Sequence, residues 1–280
     1  MPLVTLKQIL SDAKIKQYGV GAFNLLNMEA VKGALAAAEK LNAPIIFQLA
    51  EVQLDSSPME LMFPMMVEAA KRTSVPVAVH YDHGLTEEAI IKALSLGVTS
   101  VMFDGASLSF EENVARTKKM ADYAHSLGAS CEAELGVVGG GEAGDTAYVV
   151  SESLSDPKMA VKFVELTGCD ALAVAIGNAH GPYVSVPDLQ FERLKEIRDA
   201  VDVPLVLHGG SGISPEDFKK CISLGICKIN VATALQQQAS KKMALEYSKN
   251  AGKMDFVSIS KVLETTAYDS VKEHINIFTF

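Results

Sequence analysis

Six histidines occur in the 280 residues, and three of them, His83, His180 and His208, stand at or just past the ends of short apolar runs. Three imidazoles brought together from separate elements are the usual protein set for a catalytic zinc with an open position. Each alone could be a core or loop histidine, so it is their shared placement that points to metal. His80 lies two residues before Asp82 and shares its strand face one layer deeper, where packing or a hydrogen bond would satisfy it. His125 and His274 fall on helical stretches and read as structural. Asp82 adjoins His83, so its carboxylate can do acid–base work on whatever the metal binds. It could instead orient a ligand imidazole. Asn24, Glu51, Asp104, Glu134 and Asn230 close other apolar runs in the same way. Glu132 and Glu134 share one strand face, with Glu134 nearer the end.

A different chemistry is written in His208-Gly209-Gly210-Ser211-Gly212-Ile213-Ser214-Pro215-Glu216-Asp217. Glycines there allow close backbone approach, and Ser214 with Asp217 and Pro215 reads as the start of a helix. Free backbone N–H groups beside a helix N-terminus seat a phosphate. Asn230-Val231-Ala232-Thr233 can complete that seat with its amides and the Thr233 hydroxyl.

These residues need a scaffold that gathers strand ends. Eight β-rich runs recur: 20–23, 44–50, 75–82, 100–104, 130–135, 171–176, 204–208 and 228–231. Amphipathic stretches lie between them, at 27–41, 58–72, 86–96, 110–127, 157–167, 188–200 and 215–224. Nearly continuous apolar strands are those of a parallel sheet buried on both faces. Eight strand–helix repeats predict an α/β fold, a closed (β/α)8 TIM barrel, whose active site sits at the C-terminal ends of the strands. Gly19–Asn24 lacks the G-x-G-x-x-G of a dinucleotide-binding sheet. Gly97, Gly128, Gly168 and Gly225 are placed to end helices. Residues 1–280 read as a single domain, with a helical tail over 235–280. A glycine-rich connection over 137–157 reads as a mobile active-site loop, a surface insertion being the plainer alternative.

Composition narrows the ligand. The net charge is −9, and only Arg72, Arg116, Arg193 and Arg198 occur. No basic block invites nucleic acid, and no apolar run reaches the roughly 20 residues that span a bilayer. The N-terminal residues do not read as a secretion signal. Four scattered cysteines argue against disulfides, and Cys131 and Cys169 read as small core residues. A cytoplasmic location is the expectation. An anion would have to be held by backbone amides rather than by bulk positive charge.

At these residues the chain resembles the metal-dependent, class II ketose-bisphosphate aldolases, which are (β/α)8 barrels. The likeness runs through Ala22-Phe23-Asn24, Ala43–Ile46, His80-Tyr81-Asp82-His83-Gly84, Val101–Gly105 and Glu132–Gly136, then through Ala173–Gly181, His208–Gly212 and Lys228–Thr233. Asn230-Val231-Ala232-Thr233 looks more like the tagatose-bisphosphate branch than typical fructose-bisphosphate enzymes. The resemblance implies that His83, His180 and His208 hold zinc and that Asp82 protonates the C4 oxygen. It implies a second divalent metal at Asp104 and Glu134, and proton transfer by Glu142 on the glycine-rich loop. Gly181, Gly209, Gly210, Ser211, Asn230, Val231, Ala232 and Thr233 would bind dihydroxyacetone phosphate, with Asn24 nearby and a monovalent cation (Na+ or K+) beside them. The implied partners are a phosphorylated sugar and further copies of the chain, as a homodimer or homotetramer, with neither nucleic acid nor membrane.

Two departures bear on the substrate. Ala50 stands where the family commonly has Ser or Thr. No arginine follows Arg198, and Glu264 falls near the place of a family arginine that contacts the distal phosphate. The expected reaction is reversible cleavage of tagatose or fructose 1,6-bisphosphate through a metal-stabilised enediolate. The alternatives are an aldolase using a non-phosphorylated aldehyde, a metal-dependent barrel hydrolase, and a sugar-phosphate binder without catalysis. A Schiff-base route is disfavoured: the sixth strand carries no lysine, and Lys228 reads as opening its strand rather than closing it.

Overall fold

Each apolar run becomes a strand and each amphipathic stretch a helix in the computed structural model, which describes residues 2–139, 154–181, 183 and 187–279. The order is α1 (Leu6–Lys16), β1 (Val20–Asn24), α2 (Met28–Leu41), β2 (Ile45–Ala50), α3 (Met59–Arg72), β3 (Val77–Gly84), α4 (Glu87–Ser95), β4 (Ser100–Phe103), α5 (Phe110–Ser126) and β5 (Ser130–Leu135). It continues with α6 (Pro157–Thr167), β6 (Ala171–Val174), α7 (Phe191–Ala200), β7 (Leu205–Leu207), α8 (Pro215–Ser223), β8 (Ile226–Val231), α9 (Thr233–Lys249) and α10 (Phe256–Phe278). All eight strands are parallel and close into a barrel, β8 pairing back onto β1 with Ala22 opposite Asn230. The (β/α)8 expectation is met.

Boundaries differ where side chains compete with the ladder. β6 ends at Val174 rather than Ile176, because the Ile176 N–H donates to Asn178 Oδ1 at 2.8 Å and the chain turns. α7 starts at Phe191, three residues after the expected Asp188. The four glycines expected to end helices all have positive φ. Lys228 is the third residue of β8, fully buried, so the reading that it opens the strand is corrected.

The sequence reading has no counterpart to α1. Its start carries a capping box, Thr5 with Gln8, which was the available signal. Leu6, Ile9, Leu10 and Ala13 form a buried cluster with Val20, Ala22, Ile46, Ala78, Ala171, Ala173, Val206 and Cys227. These strand residues lie near the N-terminal ends, so α1 plugs the barrel opposite the site. A larger apolar cluster fills the layer between strands and helices.

α10 returns along α2, and the two helices touch at Gly33. A Cβ there would overlap the backbone carbonyl oxygen of Glu264 and lie 2.8 Å from the Tyr268 nitrogen. Backbone cannot yield as a side chain tip can. Gly33→Ala is therefore expected to destabilise by about 1–3 kcal/mol, despite alanine's better helix propensity. Urea unfolding measures it, and an unchanged midpoint would refute the tight seam.

Candidate active site

Asp82 and His83 are neighbours, and regular strand alternation would send them to opposite faces. β3 solves this with an irregularity: its register against β4 shifts between Tyr81 and Gly84, and His83 has φ +44°. The left-handed conformation costs a non-glycine residue roughly 1 kcal/mol. It turns both side chains into the barrel mouth. Glu51, expected among the mouth carboxylates, instead grips the exit of β3. Its Oε2 accepts from the Tyr81 hydroxyl at 2.9 Å and from the Leu85 N–H at 2.7 Å.

His83, His180 and His208 converge. Ring centroids lie 4.4 Å apart for His83 and His208, 4.9 Å for His83 and His180, and 5.7 Å for His180 and His208. Carboxylates aim two of the rings. His83 Nδ1 meets Asp104 Oδ2 at 2.7 Å, and His208 Nε2 meets Glu132 Oε1 at 2.8 Å. The nitrogens left over, His83 Nε2 and His208 Nδ1, face each other at 2.6 Å. Carboxylate, imidazole and cation in line is how protein metal sites fix a ligand's tautomer. The donor set therefore fits a divalent metal. Burial lowers the His180 pKa to about 3, with the His83 charge adding to it, and burial pushes His208 well below its ordinary value. Both rings are neutral at neutral pH, as ligands must be. His180 is held by its own backbone, whose N–H donates to the Gly139 carbonyl at 2.6 Å.

His83, Asp104 and Glu134 form a second group able to hold a cation. In this arrangement Asp104 already serves His83, so a second ion would have to share that carboxylate. A third group, His80 with Asp82 and Glu132, holds a cation of the protein's own. Lys228 Nζ lies 2.8 Å from Glu132 Oε2 and 3.8 Å from Asp82 Oδ1. His80 hydrogen-bonds Ser100 through Nδ1 at 2.9 Å, the deeper-layer role expected of it.

Asp82 sits in a cage of donors. Gln48 Nε2 reaches Oδ2 at 3.0 Å, Asn24 Nδ2 reaches it at 3.3 Å, and Asn230 Nδ2 reaches Oδ1 at 3.1 Å. Burial alone would raise its pKa, but the neighbouring His83 and Lys228 charges and the Asn24 hydrogen bond bring it down to about 2. Asp82 is thus an anion at neutral pH and a proton acceptor at rest. Gln48, Gln53 and Lys228 were missed from sequence. Two of them left a signal, Gln48 as a glutamine inside the otherwise apolar Ile45–Ala50 and Lys228 as a lysine inside Ile226–Val231, while Gln53 in its turn left none.

Beside Asp82 a cleft is lined by Asn24, Gln53, His180, Gly181, Gly209, Ser211, Asn230, Ala232 and Thr233. Gly209 is required there: its φ is +66°, and a Cβ would overlap the Ala179 carbonyl. The two helix starts at the mouth differ in their suitability for an anion. α8 is capped by Ser214 and carries Glu216 and Asp217 in its first turn, which disfavours an anion. α9 has no acid in its first turn and no cap from its own N-cap residue Ala232; Ser211 Oγ accepts from the Ala234 N–H at 2.9 Å, and Ala232 and Thr233 line the cleft. Gly210 and Val231 do not line it. The Gly210 N–H donates to the Asn230 carbonyl at 3.1 Å, while Val231 alternates away from Asn230 into the outer core. Glu142 and most of the 137–157 loop lie outside the described residues. His125 pairs with Asp170 and His274 with the Ser270 carbonyl, remote from the mouth as expected. No helix among the described residues is long and apolar enough to cross a membrane.

Known proteins share this arrangement of chain. The family described as fructose-bisphosphate aldolase class-II matches residues 4–280. A probable fructose-bisphosphate aldolase of Bacillus subtilis is 45% identical over 245 residues, 86% of this chain and 85% of that one. A sulfofructosephosphate aldolase of Alkalicoccus urumqiensis is 38% identical over 99% of this chain and 97% of its own. The crystal structure of the YdjI aldolase from Escherichia coli K12 superposes with a TM-score of 0.88 at 39% identity, covering 99% of this chain and 97% of that one.

Proposed function

The chain belongs to the class II fructose-bisphosphate aldolase family, whose members are metal-dependent lyases acting on phosphorylated sugars, and from that premise we propose a zinc enzyme that reversibly cleaves a ketose 1,6-bisphosphate. Tagatose or fructose 1,6-bisphosphate is the substrate, and dihydroxyacetone phosphate and glyceraldehyde 3-phosphate are the products. The observation that carries this reading is a caged Asp82 between three converging imidazoles and a cleft closed by the acid-free start of α9.

His83, His180 and His208 would hold the zinc. When bound, the metal supplies Lewis-acid stabilisation of the negative charge that builds on the ketose oxygens. The chain's own residues do the rest. Gly181, Gly209, Ser211 and the first residues of α9 hold the C1 phosphate by backbone amides and the helix dipole. Asp82 takes the C4 hydroxyl proton as the C3–C4 bond breaks; in the condensation direction it returns that proton to the aldehyde oxygen. Proton balance reverses the expectation that Asp82 protonates the C4 oxygen during cleavage: C4 leaves as an aldehyde, so its hydroxyl gives up a proton, and the Asp82 carboxylate is the base proposed to take it. A proton then reaches C3 of the dihydroxyacetone phosphate half, the role assigned to Glu142. Asp104 and Glu134 would hold any second divalent ion, and a monovalent cation would sit by the phosphate. We assign the chain to one barrel domain with a C-terminal helical tail over 235–280 and an active-site loop over 137–157, and to a cytoplasmic homodimer or homotetramer.

Chelation should abolish cleavage and added zinc should restore it. Activity that survives full metal removal, yet is lost to borohydride with substrate, would overturn the mechanism. One observation favours a second reading, in which the aldehyde carries no phosphate. Glu264, near the place of the family's distal-phosphate arginine, pairs with Lys32 across the α2–α10 seam at 2.5 Å. Comparing a ketose 1-phosphate with its bisphosphate separates the two, and strong preference for the bisphosphate excludes the second.

A further inference from the structure

Gln53 ends the single 3-10 turn Glu51–Gln53 that follows β2, and its side chain folds back over the strand end. The residue is 8% exposed and lines the cleft with Asp82. Its amide orientation is settled by the backbone. The Ala50 N–H can only donate, and it meets Gln53 Oε1 at 3.1 Å, so that atom is the oxygen. Asn24 Nδ2 donates to the same oxygen at 3.1 Å. The order then propagates: Asn24 Oδ1 is left to accept from Gln48 Nε2 at 2.8 Å, and Gln48 in turn donates to Asp82. With both acceptor positions of Oε1 filled, the Gln53 NH2 group is turned to the cleft. Among the described residues it donates to none.

A donor-only group beside the proton acceptor, inside the cleft, selects an oxygen on the substrate. We propose that Gln53 is a specificity-determining residue whose Nε2 donates to the hydroxyl on the carbon next to the reacting aldehyde carbon. The inference rests on the aldolase reading above, whose aldehyde carries that hydroxyl, and assigns its recognition to Gln53. A cleft that places a donor for that hydroxyl penalises the analogue lacking it, since the donor is then left without a partner.

The test is addition of dihydroxyacetone phosphate to glycolaldehyde and to acetaldehyde, which differ by that hydroxyl, with the zinc-loaded chain and two variants. Gln53→Met keeps length and removes the amide. Gln53→Glu keeps an acceptor for the Ala50 and Asn24 donors and removes the donor. The ratio of kcat/KM for glycolaldehyde over acetaldehyde is expected to fall about 10-fold in both variants. An unchanged ratio in both overturns the inference alone. A ratio lost in Gln53→Met but kept in Gln53→Glu also overturns it, since Gln53 then only supports Ala50 and Asn24. No adduct with glycolaldehyde from the unmutated chain overturns the inference, whereas failure of that chain to cleave both a ketose 1,6-bisphosphate and its 1-phosphate overturns the aldolase reading itself.

Discussion

Asp82→Ala is expected to lower kcat for cleavage by about 10²–10⁴-fold, the range for removing a positioned acid–base group, while the metal content of the purified chain stays the same. The reason is geometric. The carboxylate touches Gln48, Asn24 and Asn230, with Lys228 beyond them, and none of its hydrogen bonds goes to His83, His180 or His208. The alternative role, orienting a ligand ring, is already filled by Asp104 for His83 and Glu132 for His208. If Asp82 merely supported the metal, its loss would weaken metal affinity about 10–100-fold, and excess zinc would restore turnover. Metal analysis together with kcat at saturating zinc decides between them. Restoration by zinc would sink the proton-transfer role.

The second large effect is on stability. Lys228 is wholly buried in the barrel, with Nζ at 3.0 and 2.8 Å from the two oxygens of Glu132. Desolvating both charges is costly, so the pair is no sign of extra stability by itself. Removing one partner is another matter. Lys228→Met would strand Glu132 and leave Asp82 without its nearest permanent positive charge, at an expected cost of about 3–5 kcal/mol. Urea unfolding of the metal-free chain reads this directly. The double variant Lys228→Met with Glu132→Gln should recover part of the loss, because the stranded carboxylate is gone. Equal stability of Lys228→Met and the unmutated chain would mean that the lysine does not hold this layer together.

What could be read from the sequence follows from what a one-dimensional pattern encodes. Burial on both faces leaves continuous apolar runs, so eight strands were visible. Histidines and acids interrupting those runs at their ends had to meet at one mouth once the barrel closed. Partner choice across the barrel was not visible. Lys228 and Glu132 are 96 positions apart, and a lone lysine in a strand does not announce which carboxylate neutralises it. Gln48 and Gln53 act through amides oriented by Ala50 and Asn24, a relation among atoms rather than residue types. The register shift in β3 was equally hidden, although two adjacent site residues on one strand demanded something like it. Acids in the first turn of α8 and their absence from α9 are legible in the sequence, and they mark α9 as the better helix start for an anion.

α1 shuts one end of the barrel. With Leu6, Ile9, Leu10 and Ala13 stoppering that end, and the Lys228–Glu132 layer lying between the stopper and the imidazoles, the described residues leave no route through the middle. On the proposed function, sugar, products and metal all pass the opposite opening. Order of departure then becomes a matter of depth: the half of a split sugar lying nearer the opening leaves first, and the deeper half waits behind it.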